Sequence, residues 1–129
     1  KDGERPQFPL WLAPIQVRLI PLKDDFLEFA SNLAGKLTEQ NIRVDIDDRN
    51  DTINKRIRDA EKEWINYVLV IGEKEMNSPS LSVRDRTTGD VRQLSTENFV
   101  KEIQDATRGK PISKLNSAIL LSQRPQIMV

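Results

Sequence analysis

The sequence predicts an α/β fold: a three-layer α/β/α sandwich around a five-stranded mixed sheet of order 2-1-3-4-5, with strand 4 antiparallel and three main helices. Three observations point to it. Strand and helix periodicities alternate along most of the chain, and right-handed crossovers then place the second strand on one side of the first and the third on the other. Tyr67-Val68-Leu69-Val70-Ile71 is apolar throughout, as a strand covered on both faces requires. Two alternating runs flank Thr87-Thr88-Gly89-Asp90, which reads as the turn of a hairpin.

Residues 1–15 read as a linker, because Pro6, Pro9 and Pro14 remove backbone donors and block helix. Residues 16–22 form the first strand, stopped by Pro21. Asp24 is placed to cap the helix that follows, whose apolar stripe is Phe26, Phe29, Ala30, Leu33 and Leu37; it ends near Gln40, and Asn41 suits a left-handed exit. Residues 43–47 alternate, with Val44 and Ile46 on one face and Asp45 and Asp47 on the other, which predicts a half-exposed edge strand.

Thr52 can cap a second helix with Ile53, Ile57, Ala60 and Trp64 as its stripe; Lys55, Arg56, Arg58 and Lys62 lie off it. Gly72 ends the third strand. Residues 81–86 alternate, with Ser82, Arg84 and Arg86 on one face, and residues 91–94 return. Ser95 or Thr96 caps a third helix with Phe99, Ile103 and Ala106 inward, and Gly109 and Pro111 close it. Past Asp105 there is no acid, and residues 110–129 read as a tail laid over the domain or over a partner. The units expected are therefore a linker at 1–15, a domain at 16–109 and a tail at 110–129.

Composition removes several function classes. There is no cysteine and no histidine, which excludes thiolate nucleophiles, Ser-His and Cys-His pairs, zinc sites built on those residues, and disulfides. A reducing cytoplasm is compatible with this and is the expected location. Twenty basic residues balance twenty acidic ones, so no bulk positive field draws nucleic acid and any such role rests on local placement. No apolar run approaches the ~20 residues of a membrane span, and Lys1-Asp2-Gly3-Glu4-Arg5-Pro6 has no signal-peptide pattern. The first residue is not methionine, which suggests a piece of a longer chain. The five glycines stand apart, so neither a dinucleotide fingerprint nor a P-loop can be built, and a self-contained enzyme is not expected.

Two constellations remain. Asp45, Asp47 and Asp48 follow a strand and could in principle hold magnesium; the spacing is similar to the Asp-x-Asp of haloacid-dehalogenase-type phosphatases. That family places its motif after the first strand and has Thr or Val where Arg49 stands. A response-regulator receiver fails for the same positional reason. Solvated strand-end charges, paired with Arg43 and Arg49, are the simpler reading.

The second constellation is Asn50 after the second strand, Arg58 on the next helix, Glu75 after the third strand and Arg84 on the antiparallel neighbour, supported by Arg49, Lys74 and Arg86. The topology predicts that they converge at the carboxyl end of the sheet. Side chains on such a platform read unpaired bases. A carboxylate matches the two donors of a guanine edge, a guanidinium or amide matches uracil carbonyls, and Lys or Arg can hold phosphates.

The run Phe8-Pro9-Leu10-Trp11-Leu12-Ala13-Pro14, with residues 41–50, 56–60, 67–75 and 83–86, resembles the C-terminal anticodon-binding domain of threonyl-tRNA synthetases, a class II family, over about residues 8–108. The resemblance implies the class II synthetase anticodon-binding-domain fold and recognition of the threonine tRNA anticodon loop. By it, Glu75 would read the middle guanine and Arg84 the third base, uracil, with Asn50 and Arg58 in support. It implies no catalytic residue, metal or cofactor in these residues. The parent protein would be a ligase using ATP, magnesium and a catalytic-domain zinc, with that catalytic domain as partner and neither membrane nor DNA involved.

Asn54 departs from the usual Gly, and Asn66 from the usual Pro; both shape backbone. The runs at residues 61–65 and 121–125 resemble archaeal members. Prolyl-tRNA synthetase is the nearest competitor, and a non-catalytic interaction or accessory module of the same fold remains the alternative from a different class.

Overall fold

A computed structural model describes residues 9–111 and 118–124. The elements are β1 (Val17–Pro21), a short 3-10 turn (Asp24–Phe26), α1 (Leu27–Glu39), β2 (Val44–Ile46), α2 (Ile53–Lys62), β3 (Tyr67–Ile71), α3 (Glu73–Met76), β4 (Ser80–Asp85), β5 (Val91–Ser95), α4 (Thr96–Ala106) and a closing 3-10 turn (Leu121–Gln123). The sheet order is β2-β1-β3-β4-β5. β1 runs parallel to β2 and β3, β4 is antiparallel to β3, and β5 is antiparallel to β4.

Strand alternation divides the core. Val17, Leu19, Val44, Ile46, Tyr67, Leu69, Ile71, Leu81 and Val83 point to one face, where α1 supplies Ala30, Leu33, Ala34 and Leu37 and α4 supplies Phe99 and Ile103. Ile20 and Val68 point to the other, against Ala60 and Ile65, with Ile53 and Ile57 of α2 packed beside them. The three-layer arrangement follows. On the hairpin, the α2-side face carries Ser82, Arg84, Val91 and Gln93 instead of a helix.

Local signals account for most element ends. The Thr52 hydroxyl accepts from Lys55 N at the start of α2, and the Ser95 hydroxyl accepts from Asn98 N at the start of α4. Asn41 (φ 64°) takes the left-handed exit from α1, and Gly109 (φ 76°) lies in the same region after α4.

The three main helices are joined by a one-turn helix, α3, after β3. Four expectations need correction. Asp24 does not cap α1; it opens the 3-10 turn, and α1 begins without a side-chain cap. Trp64 lies past the end of α2 with φ 60° and is partly exposed, because the chain turns there to enter β3. Ala106 is exposed at the end of α4.

The largest correction concerns β2. It is an edge strand in the sheet, yet every residue from Ile42 to Asp47 is buried. Residues 118–124 lie along it. Ile46 N donates to Ile119 O at 2.8 Å, and the Asp48 carboxylate accepts from Ser122 N at 3.0 Å and Ser122 Oγ at 2.6 Å. Those seven residues thus cover the open edge of the sheet. Residues 112–117 and 125–129 of the expected tail lie outside the described residues, as do residues 1–8 of the expected linker.

The later part of the leading segment is tied down. Gln16 Nε2 donates to Leu10 O at 2.8 Å, while Arg43 Nε reaches Ala13 O at 2.9 Å and its Nη2 reaches Trp11 O at 2.8 Å. Trp11 is half-buried, and Lys110 Nζ sits 5.4 Å from its ring centroid, within cation–π range. No helix among the described residues is long and apolar enough to cross a membrane.

Candidate nucleic-acid interface

The aspartates in and just after the edge strand are structural. Asp45 and Asp47 are fully buried rather than solvated. Arg18, the second residue of β1 and itself fully buried, donates Nε and Nη2 to the two Asp45 oxygens at 2.9 Å each. It also donates to Glu63 at 2.7 and 3.0 Å, and Arg124 adds a third bond to Asp45 at 2.9 Å. Burial works against the Arg18 charge, but the bonds to Asp45 and Glu63 outweigh it and push its pKa above the ordinary arginine value. Arg43, expected to pair with these aspartates, donates to the carbonyls of Ala13 and Trp11.

Asp47 is held by Arg49 through a two-pronged contact at 2.9 and 2.8 Å, and Arg49 also reaches Asp59 at 3.0 Å. Arg56, expected off the apolar stripe, is buried and donates to Pro21 O and Asp47 O at 2.8 and 3.1 Å. Arg49 and Arg56 together hold the loop that carries Asn50.

Asn50 is exposed at the carboxyl end of β1 and β2, in a cleft of about 390 Å³ shared with Lys23, Asp24 and Asp51. Glu75 follows β3 at that same end. Its Oε1 accepts from Gly72 N at 2.9 Å, closing the one-turn helix α3, and its Oε2 accepts from Ser82 Oγ at 2.9 Å. A Cβ on Gly72 would lie 2.9 Å from Leu22 Cδ1, the tip of an exposed side chain, and 3.5 Å from Glu75 Oε1. Glu75 is 7% exposed, and each oxygen has taken one donor, leaving a lone pair on each. Lys74 beside it is exposed.

Arg84 does not join Asn50 and Glu75 at the carboxyl end. In register it faces Val68, the second residue of β3, and Val91 on β5. What it shares with Glu75 is a face: Ser82, which holds Glu75, lies two residues before Arg84 on β4 and on the same side. Two residues of strand span about 7 Å. Arg84 Nε is buried with no hydrogen-bond partner, and its shallow cleft is lined by Glu61, Asp85 and Arg86. An arginine nitrogen without an acceptor costs free energy until a ligand supplies one.

Arg86 donates Nη1 to Glu61 O at 2.7 Å, which ties the hairpin to the end of α2. Arg58 is exposed on α2, three residues after Lys55 and three before Glu61, so it stands on the outer side of the helix between the two. Lys55 and Asp59 meet Arg49 on the flank toward β2.

Sequence reasoning missed Ser82 and Gln93. Gln93 Nε2 donates to Ser82 Oγ at 3.0 Å, completing a line from β5 to Glu75. Alternation along 81–86 already put Ser82 beside Arg84; only the pairing register adds Gln93. The candidate interface is an open hairpin face with an acceptor at Glu75, an unpaired Nε at Arg84 and exposed Val91, with exposed Lys74 beside Glu75.

A family model described as "Anticodon binding domain" matches residues 16–106. The chain is 60% identical over 129 residues to the threonine–tRNA ligase of Nitrosopumilus maritimus (strain SCM1), covering all of this chain and 21% of that protein. It is 47% identical over 127 residues to that of Cenarchaeum symbiosum (strain A), covering 98% and 21%. The chain thus spans about a fifth of the length of these curated relatives. In structure it is similar to the RNA binding domain of threonyl-tRNA synthetase from Cryptosporidium parvum Iowa II, with a TM-score of 0.73 and 26% identity over 84% of this chain and 26% of that one. The matched residues contain the whole sheet and all four helices, and the chain belongs to the anticodon-binding domain family.

Proposed function

We propose that this chain is the anticodon-reading part of a threonine–tRNA ligase and that the hairpin face does the reading. The observation that carries this is that Arg84, whose Nε has no partner, and Ser82, which holds the Glu75 carboxylate, lie two residues apart on one face of β4. Two recognition groups presented side by side on one strand face suit two neighbouring, unstacked bases. The free lone pairs of Glu75 match the N1–H and N2–H of a guanine, and the Arg84 fork matches uracil carbonyls. Threonine anticodons carry guanine in the middle and uracil third, so these two contacts would select them. Asn50, at the carboxyl-end cleft, and Arg58 would take the flanking nucleotides, and Lys74 the backbone phosphates. Arg49 and Arg86 already hold internal acceptors, so their support is to keep the Asn50 loop and the hairpin in place.

In the whole enzyme, ATP, magnesium and zinc would belong to a catalytic domain preceding residue 1, in the cytoplasm. Residues 1–15 would link the two domains, and the bonds of Gln16 and Arg43 to the leading segment would set how the reading face is aimed. Residues 110–129 would form the C-terminal tail, of which residues 118–124 lie along β2.

The test is titration of the chain with transcripts of threonine tRNA carrying guanine or adenine at the middle anticodon position. Binding is expected to be weak, salt-sensitive and stronger for guanine, because phosphate contacts supply most of the affinity and the base edge supplies the difference. Equal affinity for the two transcripts would falsify the base-reading assignment.

A further inference from the structure

We propose, on the strength of the anticodon reading above, that Gln93 is a positioning residue for Glu75, setting through Ser82 which way its carboxylate is presented to a base. Gln93 stands across from Ser82 in the β4–β5 register. Its Nε2 lies 3.0 Å from Ser82 Oγ, and Ser82 Oγ lies 2.9 Å from Glu75 Oε2. A serine hydroxyl has one proton. The Gln93 amide nitrogen can only donate, so the hydroxyl accepts from it and its proton is committed to Glu75. The reversed amide would set two acceptors, Gln93 Oε1 and Glu75 Oε2, against one proton. The Glu75 carboxylate therefore fixes the amide orientation, and the amide in turn fixes the hydroxyl.

The consequence falls on recognition. With Oε1 pinned by Gly72 N at 2.9 Å and Oε2 by Ser82, the carboxylate plane cannot turn, and the one remaining lone pair on each oxygen stays available as an adjacent pair. That pair matches two adjacent donors on a guanine edge and mismatches adenine, which presents a donor and an acceptor. Gln93 is exposed on the hairpin, so its replacement removes no core packing.

The readout is the ratio of dissociation constants for the middle-guanine and middle-adenine transcripts, because a ratio cancels any change in general charge attraction. Gln93→Glu is isosteric and replaces a donor with an acceptor; it is expected to lower the ratio about tenfold, the worth of one charge-assisted hydrogen bond. Ser82→Ala is expected to lower it similarly, Ser82→Thr to retain it, and Gln93→Glu to add nothing in the Ser82→Ala background. Melting temperatures should stay within a few degrees of the parent. A Gln93→Glu ratio equal to the parent's, with Glu75→Gln losing discrimination, overturns the Gln93 role while leaving the anticodon reading intact. Additive losses in the double variant would mean that Gln93 touches the base itself, which overturns the relay. A parent chain with no discrimination removes both proposals.

Discussion

Ser82 on β4 donates its hydroxyl proton to Glu75 Oε2 at 2.9 Å, joining the antiparallel half of the sheet to the turn that ends the parallel half. The bond lets a carboxylate at the end of one strand present itself on the face of another. Glu75→Gln keeps an oxygen to accept from Gly72 N but replaces one acceptor edge with a donor. The expected outcome is a fold of unchanged melting temperature within a few degrees and a 10- to 100-fold loss of preference for the middle guanine, about 1–3 kcal/mol. Filter binding with the two transcripts, beside a thermal melt, checks both halves.

Arg84 makes the opposite case. Its Nε is buried without an acceptor, so in the free protein it carries a desolvation cost. Arg84→Met keeps the apolar stem and removes that cost. The chain should become no less stable, while affinity for threonine tRNA falls about tenfold or more and the preference for uracil at the third position disappears. A variant that loses stability and keeps its uracil preference would assign Arg84 to the fold instead.

These two residues also show what the sequence carried and what it did not. Tyr67–Ile71 was legible because a fully apolar run has one simple home, and Thr52, Asn41 and Gly109 because each serves a local backbone need. The strand order followed from crossover handedness. The placement of Arg84 near the far end of β3 did not, because an antiparallel neighbour reverses direction and its register is set by the loop between, which composition does not encode. Asp45 and Asp47 alternate like solvent-facing residues, and nothing local shows that Arg18 of a neighbouring strand and Arg124 of a distant segment converge on Asp45. A lone arginine within an otherwise apolar strand was the available signal, since a charge there needs a buried partner.

Arg18 should therefore be the most sensitive polar position for stability. Arg18→Ala leaves Asp45 buried with only Arg124, and the expected cost is about 3–5 kcal/mol by urea unfolding. Arg124→Ala removes a single bond from the same carboxylate and should cost less than half as much. Equal costs would mean that the two arginines do not differ in how they compensate Asp45.

Ending the chain at residue 117 tests the cover over β2. It removes the Ile119 carbonyl from Ile46 N, Ser122 from Asp48 and Arg124 from Asp45. The expected loss is about 2–4 kcal/mol, together with concentration-dependent self-association through the uncovered strand edge. Urea unfolding and light scattering at several protein concentrations distinguish that outcome from simple fraying.

One cluster on the α4 side of the sheet makes stability depend on pH at both the acid and the alkaline end. Tyr67 Oη donates to Glu102 Oε2 at 2.9 Å, and Arg92 reaches the same carboxylate at 3.0 and 2.8 Å. Arg92 chiefly, opposed by some burial and helped by Tyr67, holds Glu102 below the usual glutamate range. Burial first, then the bond to Glu102, pushes the Tyr67 phenol above its ordinary value. For Glu102 the folded pKa is depressed, so its contribution is full above the unfolded value near 4.3 and is lost as pH falls through the folded one. For Tyr67 the folded pKa is raised, so its contribution is full below about 10 and is lost as pH rises. Glu102→Gln should flatten the acid side of a melting-temperature profile and, by removing the charge that disfavours a phenolate, shallow the alkaline side as well. Tyr67→Phe should flatten the alkaline side and leave most of the acid side, because Arg92 still holds Glu102. An alkaline slope unchanged in Tyr67→Phe would place that transition elsewhere in the molecule.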